Sequence, residues 1–110
     1  MNRKGKVFFH DKFAGIISEN ENGYLFEYDD EYISQNLPSI SLTLPITRKS
    51  FSSKTMLPFF DGLIPEGWLL KITEDSWKIN PKDRMGLLLA VCKDSIGAVS
   101  IVNVEENENE

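Results

Sequence analysis

Phe59-Phe60-Asp61-Gly62-Leu63-Ile64-Pro65-Glu66-Gly67-Trp68 packs three aromatics, two glycines and a proline into ten consecutive residues. Large apolar groups lie directly against backbone punctuation, a pattern that fits neither an uninterrupted helix nor a strand. Gly62 marks a bend after Phe59 and Phe60. Pro65, with its fixed φ and no N–H to lose, suits the first turn of a new helix. Glu66 then adds negative charge near that helix's positive end. The stretch reads as a structural corner of Phe59, Phe60, Asp61 and Gly62, anchored inside by its two rings and followed at once by a helix. A buried turn between two elements is the simplest account of it.

The remaining sequence builds a small α+β domain around this corner. Gly5–His10 is rich in β-formers and reads as a first strand. Asp11-Lys12-Phe13 turns the chain into a second, Gly15–Ser18. Asn22-Gly23 favours a tight hairpin, after which Tyr24, Phe26 and Tyr28 alternate on one face of a third strand. Asp29, Asp30 and Glu31 open a short helical turn through Tyr32 and Ile33. Ile40, Leu42 and Leu44 alternate with Ser41 and Thr43, so 39–44 is expected to be a half-buried strand ended by Pro45. Residues 46–53 read as an exposed loop, and 55–63 as a short helix carrying Met56, Phe59, Phe60 and Leu63. A helix from Pro65 to about Ile79 follows. Asn80-Pro81 then restarts the helical pattern, with Met85, Leu88, Leu89 and Cys92 inward, before a closing strand, 97–104. The expected architecture is a small antiparallel β-sheet, a meander plus later strands, with two or three helices packed on it.

Composition bounds the function. A chain of 110 residues makes one domain, taken as 1–104, with 105–110 as a disordered acidic tail. The net charge is −5, of which Glu105, Glu106, Glu108 and Glu110 supply −4, leaving a nearly neutral body. A clustered basic face is lacking, so no direct nucleic-acid binding is expected. The single cysteine rules out an internal disulfide. No apolar run approaches a membrane span and no signal peptide is evident, so the cytoplasm is the default location.

The search for chemistry returns no catalytic set, no metal site and no cofactor motif. His10 stands at a strand end with no nucleophile implied beside it. One histidine and one cysteine do not furnish a structural zinc site. There is no Gly-rich phosphate loop and no kinase motif. Asp61 and Glu66 form a possible carboxylate pair, but capping or turn roles at helix starts explain each more simply. The chain is therefore not expected to be an enzyme by itself.

Leu42-Thr43-Leu44-Pro45, then Pro58-Phe59-Phe60-Asp61-Gly62-Leu63-Ile64-Pro65-Glu66-Gly67, then Gly86-Leu87-Leu88, then Asp94-Ser95-Ile96-Gly97-Ala98 resemble, in order and spacing, the small N-terminal subdomain of HipA-type proteins. The resemblance covers roughly residues 5–103, and the kinase core that follows in the HipA toxin kinases does not follow in this sequence. A free-standing copy is similar to the HipS-type component of three-gene HipBST toxin–antitoxin modules. The resemblance implies an antitoxin that binds and neutralises a HipA-like (HipT-type) serine/threonine kinase. A HipB-like helix-turn-helix protein would join through the complex. The alternative is a non-inhibitory structural subunit completing a split kinase.

The residues themselves suggest where such a partner would bind. Numbered from Pro65 as a helix, Lys71, Glu74, Asp75 and Lys78 form a polar side, with Leu69, Ile72, Thr73 and Trp77 opposite. Trp68 and Leu70 fall at the margins of an apolar arc about 200° wide, broader than the ~100° a one-sided surface helix needs. Trp68 is thus the leading partner-binding candidate, with Pro65, Glu66, Gly67 and Leu70 beside it. The competing reading is that Trp68 roofs the core.

Overall fold

The computed structural model describes residues 3–64, 67, 80, 82–91 and 98–104. The expected helix 65–79 apart from Gly67, the first-turn position of Pro81, Cys92, Gly97 and the acidic tail lie outside the described residues.

Five antiparallel strands form one sheet: β1 (Lys4–Phe9), β2 (Lys12–Asn20), β3 (Gly23–Tyr28), β4 (Ser50–Ser53) and β5 (Val99–Val104). Their order is β4-β3-β2-β1-β5, so the meander occupies the middle and the later strands take the two edges. Helices α1 (Asp30–Ser34), α2 (Pro58–Asp61) and α3 (Arg84–Val91) pack on the sheet. This is the small α+β arrangement that the alternation of apolar residues and turn signals implies.

Local chemistry explains each join. The first hairpin turns on His10 and Asp11, both at positive φ (49° and 68°), two residues whose side chains tolerate the left-handed region. It is tighter than the expected Asp11–Phe13 turn. A bulge between Val7 and Phe8 sets Val7 opposite Gly15 and Phe8 opposite Phe13. Ala14, the extra residue, is buried and its carbonyl accepts the Asp29 N–H at 2.7 Å. In the second hairpin Asn20 pairs with Gly23, and Asn20 Oδ1 accepts the Asn22 N–H at 2.7 Å. Gly23 has φ 138° and a Cβ there would strike the Ser53 carbonyl, so only glycine lets β4 approach.

Two segments differ from expectation. Residues 39–44 are not a strand: Ser41–Leu44 is a tight turn, closed by Leu44 N–H to Ser41 O at 3.1 Å. Ile40 and Leu44 are buried as alternation predicts, but Leu42 is fully exposed. Tyr28 explains how. Its buried hydroxyl accepts the Ile40 N–H at 3.1 Å and donates to the Leu44 carbonyl at 2.5 Å, replacing ladder bonds with one side chain. Burial also pushes the Tyr28 pKa above its ordinary value, the backbone bond from Ile40 opposing that shift. Conversely, part of the expected 46–53 loop is β4. Phe51 supplies what the polar run conceals: it pairs with Phe26 and meets the Tyr28 ring edge-on at 6.4 Å.

The core lies between sheet and helices. Val7, Ile17, Phe26, Tyr28, Phe60, Met85, Leu87, Leu88 and Ile101 are almost wholly buried. Leu87, not singled out by the helical spacing, joins Met85 and Leu88 there. Gly5 lets α3 come close, since a Cβ there would lie 2.8 Å from Leu89 and 2.7 Å from Ile101. Helix α2 is shorter than the 55–63 expected because Pro58, lacking an N–H, sets its first turn.

Two substitutions probe this packing. Phe60→Ala should destabilise the domain by about 3–5 kcal/mol, and Phe59→Ala by clearly less because its ring is only half-buried. Tyr28→Phe keeps the ring but strands the Ile40 N–H and Leu44 carbonyl, a loss of about 1–3 kcal/mol. Urea denaturation followed by circular dichroism measures all three, and equal midpoints for Phe60→Ala and wild type would refute the core assignment.

Candidate partner-binding surface

The corner is built on α2. Phe60 points into the core, its ring centroid 5.3 Å from Phe26 and 5.2 Å from Phe59. Asp61 ends the helix rather than starting one, and its carboxylate is an ion-pair acceptor for Arg84, Nε to Oδ1 at 2.6 Å. Of the capping or turn role expected from sequence, the turn is present in the Ile64 N–H on the Asp61 carbonyl, while the carboxylate holds Arg84. Gly62 is the C-cap, with a right-handed φ of −69° and its N–H on the Pro58 carbonyl at 2.9 Å. The chain then tightens once more, Ile64 N–H to Asp61 O at 3.2 Å, and leaves the described region at the buried Ile64.

Of the five partner-binding candidates, only Gly67 is described. It is exposed, and an added Cβ would meet nothing within 4 Å among the described residues. Pro65, Glu66, Trp68 and Leu70 lie outside the described residues.

Where the chain is described again it is held as firmly. Asn80 Oδ1 accepts the Lys82 N–H at 2.9 Å, and Asn80 O the Asp83 N–H at 2.8 Å. The helix itself is capped by Asp83, not Asn80. Asp83 Oδ1 accepts the Gly86 N–H at 3.1 Å, and a Cβ on Gly86 would collide with that carboxylate. Arg3 grips the same carboxylate bidentately at 2.9 and 2.7 Å, and Glu19 likewise at 2.7 and 2.9 Å. One guanidinium thus ties the start of the chain, the end of β2 and the head of α3. These bonds, to Glu19 first, strengthen the hold of Arg3 on its proton, while Arg3 keeps the Asp83 carboxyl below the usual carboxylate range. Arg84 closes the circuit back to Asp61. The segment that carries the sequence candidates therefore departs from and returns to two anchored points.

Beside the corner runs a groove walled by Leu44, Phe51, Leu57, Pro58 and Phe59. The Arg48 guanidinium lies over the Phe51 ring, 5.4 Å from its centroid. Leu42 stands fully exposed on the neighbouring turn, stiffened by Ser41 Oγ and Thr43 Oγ1 at 2.9 Å. Sequence reading missed this surface because it made 39–44 a strand and 46–53 a loop. The Pro45 and Pro58 breaks around an isolated Phe51 were the available signal. His10 is exposed at its hairpin tip, its ring 4.5 Å from Phe9. Among the described residues, no three metal-ligating side chains cluster, and no helix is long and apolar enough to cross a membrane.

The described residues thus form a small α+β domain whose loops are clamped at the corner and at the head of α3. The family model for the HipA N-terminal domain matches residues 5–102. The chain belongs to the HipA N-terminal domain family. An uncharacterized protein of Haemophilus influenzae is 37% identical over 99 residues, 90% of this chain and 91% of that protein. A putative kinase of Sinorhizobium fredii, Y4mE, is 26% identical over 98 residues, which is 87% of this chain but only 23% of the kinase. Among solved structures, the N-terminal domain of a HipA toxin superposes with a TM-score of 0.72 at 30% identity, covering 94% of each chain. The family connects the chain with the HipA toxin system and with HipA-like proteins, in the part of them that is not the kinase domain.

The clamp has a pH signature. A carboxyl whose folded pKa is depressed contributes stability that is complete above its unfolded value near 4, and loses it as pH falls through the lower folded value. Asp83→Asn should therefore flatten the acid limb of the stability curve below about pH 4. It should also lower stability at neutral pH by about 1 kcal/mol through the weakened cap and lost ion pair. Thermal melts from pH 2 to 7 for both proteins decide it, and parallel acid limbs would show that Asp83 does not titrate against Arg3.

Proposed function

We propose that this protein is an antitoxin of the HipS type, which binds a HipA-like serine/threonine kinase and holds it inactive. The observation that carries the reading is the family match over residues 5–102, set against the small fraction of the Y4mE kinase that the chain spans. The Haemophilus relative supports it, since the match there extends over almost the whole protein. In this reading the domain acts in trans on a kinase body that other family members carry in the same chain. A HipB-like DNA-binding protein joins through the kinase.

Trp68 is the anchor residue, with Pro65, Glu66, Gly67 and Leu70 forming its surroundings. The anchored ends support that role, because a segment fixed by Phe60, Asp61, Arg84 and Asp83 loses less freedom on binding than a free loop. The exposed Gly67 leaves room for a partner's surface to approach. A second reading, a structural subunit that completes a split kinase without inhibiting it, fits the same family match.

Titrating the protein into purified kinase while following phosphate transfer separates the two. Inhibition at stoichiometric ratio is expected; tight binding with undiminished or enhanced transfer favours the structural subunit. Trp68→Ala should leave the melting curve intact and weaken binding roughly thirty- to a thousand-fold, the equivalent of about 2–4 kcal/mol for a tryptophan anchor. Unfolding of that variant would make Trp68 a core residue instead.

A further inference from the structure

Strand β4 is an edge with an apolar groove beside it. Among the described residues it pairs with β3 alone, and its register is fixed: Tyr24 opposite Ser53, Phe26 opposite Phe51, Glu27 opposite Ser50. The Tyr28 N–H donates to the Lys49 carbonyl at 2.8 Å, which sets the phase of the ladder. In an antiparallel ladder bonded pairs alternate, so Lys49, Phe51 and Ser53 turn their backbone groups toward β3. Ser50 and Ser52 turn theirs outward. Both serines are exposed, and no hydrogen bond is made by these outward groups among the described residues.

The groove of Leu44, Phe51, Leu57, Pro58 and Phe59 runs between this edge and α2. Arg48 precedes the strand and Lys54 follows it, both exposed and neither in an ion pair among the described residues. We propose that β4 receives an extended segment of a partner protein as a sixth strand, one that alternates apolar and acidic side chains. Backbone bonds to Ser50 and Ser52 give the segment its extended form. Its apolar side chains enter the groove against Phe51 and Phe59. Its carboxylates meet Arg48 at one end and Lys54 at the other.

Charge selects this occupant. Cations around a short edge strand ordinarily keep other strands away; here they repel basic strands and admit an acidic one. A second copy of this chain, paired antiparallel edge to edge, would set Arg48 against Lys54 at both ends. The chain's own tail, Glu105–Glu110, holds no apolar side chain for the groove. The inference does not rest on the kinase reading, since the groove and strand lie apart from residues 65–70 in sequence and would bind such a segment from any partner.

The test uses an acetylated, amidated heptapeptide alternating valine with glutamate, and its lysine-for-glutamate counterpart. Each is titrated into the ¹⁵N-labelled full chain, with hydrogen exchange as a second readout. The acidic peptide should bind saturably, protect the Ser50 and Ser52 amides and exceed the basic peptide by about tenfold or more. Ser52→Pro removes one outward N–H without touching a bond to β3, and should abolish binding. Arg48→Glu should weaken the acidic peptide about tenfold and serves if the proline variant fails to fold. The proposal is overturned by no saturable shift at Ser50 and Ser52 up to about 5 mM peptide. It is equally overturned by protection elsewhere, by wild-type affinity in Arg48→Glu, or by sedimentation showing a dimer through β4.

Discussion

The tyrosine hydroxyl of Tyr28 is the constraint on which this domain's shape depends. A sheet of five short strands needs its outer half covered, and β3 is followed by residues with too many breaks to supply another full strand. The chain instead lays Ile40 and Leu44 over the core from a turn, which would leave backbone groups unpaired in an apolar place. Tyr28 satisfies one donor and one acceptor at once. Tyr32 stacks on it at 5.9 Å and donates to the Pro38 carbonyl at 2.6 Å, while Ser39 Oγ accepts the Ile46 N–H at 2.7 Å. Three side chains do for residues 38–46 what a neighbouring strand does elsewhere. The outcome is a covered core, an exposed Leu42 and room for β4 to pair with β3.

The other half of the molecule is held electrostatically. Arg3 has 32% of its side chain exposed, so its bonds to Glu19 and Asp83 are screened and individually modest. Their value lies in geometry: three elements distant in sequence meet at one planar group, and the bidentate contacts fix their angle. Asp83 serves two donors with one carboxylate, the Gly86 N–H and Arg3. The second pair, Asp61 with Arg84, joins the ends of α2 and α3 directly. Burial of Phe60 then ties this polar bracket to the hydrophobic core.

Much of this was legible from residues alone, for reasons that differ by element. The meander was readable because Asn22-Gly23 and the alternating Tyr24, Phe26 and Tyr28 combine a turn signal with period two, both local properties. Helix α1 was readable because Asp29 caps it, accepting the Tyr32 N–H. Residues 39–53 were misread because period two describes burial, not hydrogen bonding. Ile40 and Leu44 obey the alternation, yet their backbone partners are side chains far away in sequence. β4 was hidden because Ser50 and Ser52 face solvent at an edge and only Phe51 carries the pattern. The roles of Arg3 and Asp83 were illegible for a related reason, as 80 residues separate two groups that meet only in the fold. The corner at Phe59–Gly62 could be recognised as a motif, but not the carboxylate's choice of Arg84 over a helix cap.

The four residues of α2 bring these strands of argument together. Pro58 and Phe59 form one wall of the groove, Phe60 is core, and Asp61 holds the head of α3. Neighbouring residues therefore face three environments within little more than one helical turn, an arrangement that Gly62 permits by closing the helix at once. Because protein interiors are close-packed, displacing Phe59 outward or inward also bears on Phe60, whose ring it touches edge-on. A ligand seated against the groove wall would press on the same short helix that fills the core and holds α3. Any movement of α2 is therefore felt together in the groove wall, in the core through Phe60 and in the hold of Asp61 on α3.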